Sequence, residues 1–239
     1  MFAVDHAATA LLLKRRFPKV PMPPLLLSVQ AMELAWVALN YLGVERTTTA
    51  ASVRSVADIH LAYMPFSHSM GTAVGAALLA WLIIEKVLGR AALGRAVALG
   101  IVSHLILDLA THAHDVQLLP GLAQPRLGLG LYESAPFAAF IVELVYGWVC
   151  WYVYRGGRGL LVVITVGNLA NLSFLSAAVP GPEEYLAHRP MLAVTAIFVQ
   201  IVLTLVLVDV FARPRKQGST SHHVEGAPHP GVIETSVRL

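Results

Sequence analysis

His104, Asp108 and His112 stand four residues apart in a largely apolar run, Gly100-Ile-Val-Ser-His104-Leu-Ile-Leu-Asp108-Leu-Ala-Thr-His112-Ala-His114-Asp115. On a helix, residues four apart share a face, so these three form one polar column. Leu105, Ile106, Leu107 and Leu109 cover the rest of the surface. Imidazole with carboxylate is the donor set that zinc, manganese and ferrous iron prefer. Further polar groups lie in other apolar stretches: Asp5 and His6, then Gln30 and Glu33 three residues apart, then Ser67-His68-Ser69, then Glu143 between Val142 and Leu144. An ionisable group at membrane depth costs roughly 2.5–3.5 kcal/mol on insertion scales, so each needs a partner or a function. A mid-helix carboxylate such as Glu143 is expected to be protonated, paired, or beside a cation. A lone His or Gln is ordinary interhelical glue. His6, Glu33, His68, His104 and Asp108, on four separate segments, together point to a metal site.

The elements that carry these residues follow from composition. The chain has 239 residues, 56% hydrophobic and 13% charged, against about 25% charged in a soluble domain. That balance excludes a disordered chain and an ordinary soluble globule. The single Cys150 allows no internal disulfide and no cysteine cluster. A net charge of +3, with basic residues scattered in pairs and triplets, argues against a nucleic-acid binder. The sequence is that of a membrane protein.

A spanning helix needs about 20 mostly apolar residues. Six stretches qualify, about 23–43, 68–88, 92–112, 133–154, 159–179 and 191–212, and a shorter one at about 2–13 is a half-span. No strand alternation is present, and lipid forbids unpaired backbone, so the expected architecture is all-α: a polytopic bundle of six transmembrane helices plus a short N-terminal half-span. It forms one domain over 1–212, and 213–239, rich in Gly, Pro, Ser and His, is expected to be a disordered cytoplasmic tail in which His222, His223 and His229 are inert. His60 and His188, in outer loops, are expected to be solvated.

Lys and Arg orient the bundle. Lys14, Arg15, Arg16, Lys19; Lys86, Arg90, Arg95; Arg155, Arg158; and Arg213, Arg215, Lys216 occupy one set of loops, while the alternate set holds only Arg46, Arg54, Arg126 and Arg189. The positive-inside rule then makes the first set and the C-terminus cytoplasmic. At about 1.5 Å per residue from the cytoplasmic end, His6 lies roughly 12 Å deep, Glu33 roughly 15 Å and His104 roughly 15–18 Å. These three share a layer near the midplane, and Asp108 and His112 climb from it toward the outer face. His68 sits near the outer mouth unless its loop dips inward.

Ser67-His68-Ser69, the block Ser103-His104-x-x-x-Asp108-x-x-Thr111-His112, the early His6 with Gln30 and Glu33, and Gly128-Leu-Gly-Leu-Tyr-Glu-Ser134 leading to Glu143 resemble a family of bacterial inner-membrane proteins, the membrane-bound metal-dependent hydrolases. The resemblance covers roughly residues 1–185. The family's second-helix carboxylate is often Asp in a proline–aspartate context; here Glu33 follows Gln30-Ala-Met.

The functional expectation is a metal-dependent hydrolase in a bacterial cytoplasmic membrane, opening to the outer face. One or two divalent ions, zinc first with manganese or iron as alternatives, would be held by His6, His68, His104 and Asp108. Glu33 would serve as ligand or general base, and His112 as a proton carrier at the mouth. Gln30, Ser67, Asp115 and Glu143 would support the ligands or face substrate. Depth points to a lipid or lipid-linked substrate, plausibly a phosphoester, with the bilayer itself as partner and no nucleic acid. The rival readings are a metal-ion or proton permease using the same polar shaft, a haem or electron-transfer protein, and a non-catalytic assembly protein. A permease needs polar residues continuing to the cytoplasmic side and matched broken helices; below Gln30 and Ser103 the segments are apolar.

Overall fold

The computed structural model describes residues 1–122, 125–176, 178–179 and 181–213. The half-span, α1 (Ala3–Arg16), is the axis of the bundle: ten of its fourteen residues are buried. Packed against it are α2 (Met22–Val29), α5 (Ala91–Thr111), α7 (Pro136–Tyr154), α8 (Arg158–Leu169) and α10 (Pro190–Ala212). Ala7, Ala8 and Ala10 are fully buried, and such small side chains let neighbouring backbones approach closely. Beyond its basic C-terminal turn, Lys14 Nζ donates to the carbonyls of Pro18 and Val20 at 2.8 and 2.7 Å, tying down the chain before α2.

Among the described residues, four helices are long and apolar enough to cross a membrane: Met70–Val87, α5, α7 and α10. The first of these is α4 (Met70–Leu82) extended by a π-helical turn, Ile83–Val87. α2 and α3 (Ala31–Tyr41) make a fifth if taken as one span bent by 58° at Gln30. Where the sequence leads one to expect six spans, four to five helices among the described residues could span. The stretch 159–179 is not one helix: α8 ends at Leu169 and a single short helix, α9 (Leu172–Leu175), follows. Twelve residues reach only about 18 Å, well short of a bilayer core. Asn168 and Asn171 mark the break, their Nδ2 groups donating to the carbonyls of Ile164 and Gly167 at 3.1 and 2.9 Å, the local competition that makes Asn a poor helix-interior residue. The span expected from 68 begins at Met70, which leaves Ser67, His68 and Ser69 in the preceding loop. Of the tail expected to be disordered, 214–239 lies outside the described residues.

The surface inverts a water-soluble one. Large apolar side chains such as Leu78, Leu79, Val149, Tyr152, Val202 and Leu203 face outward, whereas Asp5, His6, Gln30, His104, Asp108, Glu143 and Asn168 are each at most 2% exposed. A hydrocarbon surrounding satisfies both halves of that pattern.

Two small antiparallel ribbons lie between the helices: β1 (Arg46–Thr49) with β2 (Ile59–Tyr63), and β3 (Val116–Gln117) with β4 (Arg126–Leu127). The loop before α4 is fastened to the loop after α5, because Gln117 N donates to His68 O at 3.0 Å and Gly71 N to Leu118 O at 2.9 Å. The segment 128–130 folds back over the end of α5, where Leu129 N and Gly130 N donate to the carbonyls of Leu109 and His112 at 2.8 and 2.7 Å. Gly128 is required at this approach: its φ is +138°, and a Cβ there would lie 1.9 Å from Ala113 O.

Candidate metal centre

Asp108, buried on α5, is the hub. His104, one turn earlier, brings Nε2 to 2.8 Å from Asp108 Oδ2, and His6 of α1 brings Nε2 to 3.1 Å from Oδ1. The His6 and His104 rings stack with centroids 4.0 Å apart. His112, immediately after α5, places Nε2 3.9 Å from Asp108 Oδ1 and its ring centroid 5.0 Å from that of His68. The nitrogen of Met1 also lies 2.9 Å from Asp108 Oδ1 and 2.7 Å from Thr111 Oγ1.

The tautomers of two imidazoles are set by their outer partners. His104 Nδ1 lies 2.8 Å from the Val29 carbonyl, which can only accept, so Nδ1 carries a proton and Nε2 is the nitrogen turned to Asp108. The bend at Gln30 sits directly after Val29, where α2 ends and its carbonyl turns to α5. Gly100 lets the two helices meet: a Cβ on it would lie 2.0 Å from Ser28 Oγ.

His68 is fixed by a longer relay. Glu45 Oε1 accepts the backbone N–H groups of Phe66 and Ser67, both at 2.9 Å, and Oε2 accepts the Ser67 hydroxyl at 2.5 Å. Having given its proton to Glu45, Ser67 Oγ accepts from His68 Nδ1 at 2.9 Å, and His68 Nε2 is bare. Burial, reinforced by His112 nearby, holds the His68 imidazole down to about 3, so the ring is neutral, the form that ligates metals. The Nε2 atoms of His68 and His104 are buried without a hydrogen-bond partner among the described residues. Each faces acceptors: Glu33 Oε1 stands 3.9 Å from His68 Nε2, and Asp108 Oδ2 stands 2.8 Å from His104 Nε2.

Lone pairs facing carboxylate oxygens repel unless a proton or cation lies between them. Around a tetrahedral ion with bonds of about 2.0–2.2 Å, neighbouring donor atoms sit roughly 3.3–3.6 Å apart. The donor atoms of His6, His104 and Asp108, and those of His68, Asp108 and His112, form two groups in which all atoms lie within 4.8 Å of one another. The residues present fit a divalent cation.

The other residues singled out in the sequence fall in different places. Glu33 lines the cavity beside His68. Asp115 Oδ1 lies 3.4 Å from His112 Nδ1, a charge contact that orients the ring. Gln30 is not on one continuous helix face with Glu33: it stands at the bend and donates Nε2 to Ala3 O at 2.8 Å, tying α1 to α2. Glu143 accepts from Tyr132 Oη at 2.5 Å and from Phe2 N at 3.3 Å. Burial, then the Glu143 charge, pushes the Tyr132 phenol well above its usual range, so it stays a donor. Asp5 accepts from Asn168 Nδ2 at 3.3 Å, and Gln200 donates to Asn171 Oδ1 at 2.6 Å, both across helices. His60 and His188 are exposed.

Glu45 has no signature in the sequence. It follows a span and precedes Arg46, which gives it the look of an ordinary loop charge, and only the fold returns Ser67 to it.

A cavity of about 400 Å³ adjoins the cluster. At one end it meets Glu33, His68, His112 and Asp115; its wall is apolar, with Trp36, Phe174 and Ile197 among the contributors. No family model matches the chain, and neither a curated protein nor a solved structure matches it.

Proposed function

We propose that this chain is a metal-dependent hydrolase of a bacterial cytoplasmic membrane, acting on an amphipathic ester or phosphoester in the outer half of the bilayer. The observation that carries the reading is the pair of buried nitrogens without a hydrogen-bond partner among the described residues, His68 Nε2 and His104 Nε2, each turned toward carboxylate oxygen, with His68 at the edge of a cavity. His6, His68, His104 and Asp108 would hold one or two divalent ions, zinc in the first instance, with His68 on the cavity side. Such an ion supplies Lewis acidity, making a bound water acidic and polarising the ester oxygen.

The chain's own residues do the rest. The Val29 carbonyl and the Glu45–Ser67 relay engage Nδ1 of His104 and of His68 and so leave Nε2 as the nitrogen that would bind the ion. Glu33, at the cavity edge, would take a proton from an attacking water, and Asp115 orients His112 at the same cavity. The wall formed with Trp36, Phe174 and Ile197 suits acyl or prenyl chain, while the imidazole end suits a polar head. The resemblance to the membrane-bound metal-dependent hydrolases supports the same reading, and the distribution of Lys and Arg supports an outward-facing mouth with a cytoplasmic C-terminus.

The test is elemental analysis of detergent-purified protein beside its His104→Ala variant, with release of phosphate or fatty acid followed from mixed micelles of phosphatidic acid and neutral esters. Bound divalent metal in the parent, its loss in the variant, and turnover abolished by chelator and restored by zinc are expected. Equal, near-zero metal in both proteins would overturn the proposal.

A further inference from the structure

Resting on that reading, a second cation follows from the way Asp108 is shared. His6 Nε2 and Asp108 Oδ1 are 3.1 Å apart, and His104 Nε2 and Oδ2 are 2.8 Å apart, so the inner imidazoles engage different oxygens of one carboxylate. On the outer side, His112 Nε2 lies 3.9 Å from Oδ1, and His68, Asp108 and His112 form a second compact donor group. One ion does not serve both groups well: they hold four imidazoles, each group already has two, and its remaining donor is the carboxylate they have in common. Oδ1 faces His6 on the inner side and His112 on the outer side, with the Met1 nitrogen 2.9 Å away, so the two groups share this carboxylate.

The two groups differ in access. His6, His104 and Asp108 are at most 2% exposed, and none of the three lines the cavity. His68, His112 and Glu33 all line it. Their supports differ too: the inner pair is held within the helices by Val29 and the stacking of its rings, the outer pair by loops fastened together at Gln117 and His68.

We propose that the site takes two divalent cations bridged by Asp108, an enclosed one on His6 and His104 and a second on His68 and His112, with only the second open to the cavity. His112 is thereby a ligand. The substrate class this favours is a phosphoester, whose phosphoryl oxygen the cavity-facing ion on His68 and His112 would polarise. The inner ion has no route to substrate and acts on the shape and charge of Asp108.

The experiment loads the full chain in detergent with Zn²⁺, removes excess by gel filtration and counts metal per chain. Two equivalents are expected in the parent protein, about one in His68→Ala and in His112→Ala, and close to none in Asp108→Asn. A second measurement uses the unaltered protein loaded with Mn²⁺: an exchange-coupled pair signal in its electron paramagnetic resonance spectrum is expected, and this signal does not depend on any variant folding. One equivalent in the parent, two retained in His112→Ala, or only an uncoupled six-line Mn²⁺ spectrum would overturn the proposal. A protein that binds one ion and hydrolyses phosphatidic acid defeats the pair but not the hydrolase; one that binds two and turns over nothing defeats the hydrolase but not the pair.

Discussion

Glu45 grips Ser67 with both carboxylate oxygens, Oε1 on the backbone N–H at 2.9 Å and Oε2 on the hydroxyl at 2.5 Å. The grip decides which nitrogen of His68 carries the proton. Glu45→Gln removes the charge that commits the hydroxyl, and Ser67→Ala removes the hydroxyl itself. Partners of this kind typically contribute 10–100-fold in metal affinity. Both variants are expected to weaken Zn²⁺ binding by about that factor in a competition titration against a chelating dye. Unchanged affinity in both would show that the relay does not orient the imidazole.

Where α2 crosses α5, Gly100 leaves room for Ser28 and nothing more. Gly100→Ala drives a methyl into Ser28 and separates the Val29 carbonyl from His104. Overpacking of this kind costs about 1–3 kcal/mol. The variant is expected to unfold at a lower temperature in detergent, and adding Ser28→Gly should recover most of the loss. A melting temperature equal to the parent's would mean that the crossing gives way freely.

Tyr132 donates to Glu143 Oε1, and both side chains are buried. Tyr132→Phe leaves a buried carboxylate short of a donor, at a cost of about 1–3 kcal/mol. Glu143→Gln should cost less in the Tyr132→Phe background than alone, with a coupling of about 0.5–3 kcal/mol in a double-mutant cycle. Strict additivity in thermal unfolding would deny the bond.

Orientation is open to chemical labelling. Leu119→Cys, exposed in the loop after α5, should react with a membrane-impermeant maleimide in intact cells, whereas Val87→Cys at the far end of the preceding span should react only after permeabilisation. Cys150 is fully buried and serves as the silent background. The reverse pattern would invert the assignment made from Lys and Arg.

Much of this is legible in the sequence because helix periodicity and rise are strict. Spacing alone puts His104, Asp108 and His112 in one column, and rise alone puts His6 at the depth of His104, where the two rings stack. What spacing does not show is backbone that leaves the helix. The bend at Gln30 separates that residue from Glu33, and Asn168 and Asn171 end α8 early. Hydropathy averaged over twenty residues is blind to both, since their neighbours stay apolar. Glu45 is hidden for another reason: its partner is brought back by the hairpin of β1 and β2, a tertiary event without a local signature.

The place of α1 at the centre of the bundle bears on biogenesis. His6 and Asp108 meet although 102 residues of chain separate them. During translation the helix bearing Asp5 and His6 leaves the ribosome well before α5, α7 and α8 exist to receive it. Those two polar side chains must therefore wait, at the insertion machinery or the lipid headgroups, until the later helices close around them. A metal held as proposed would be captured only once α1 and α5 have met, so its uptake would report that step of assembly.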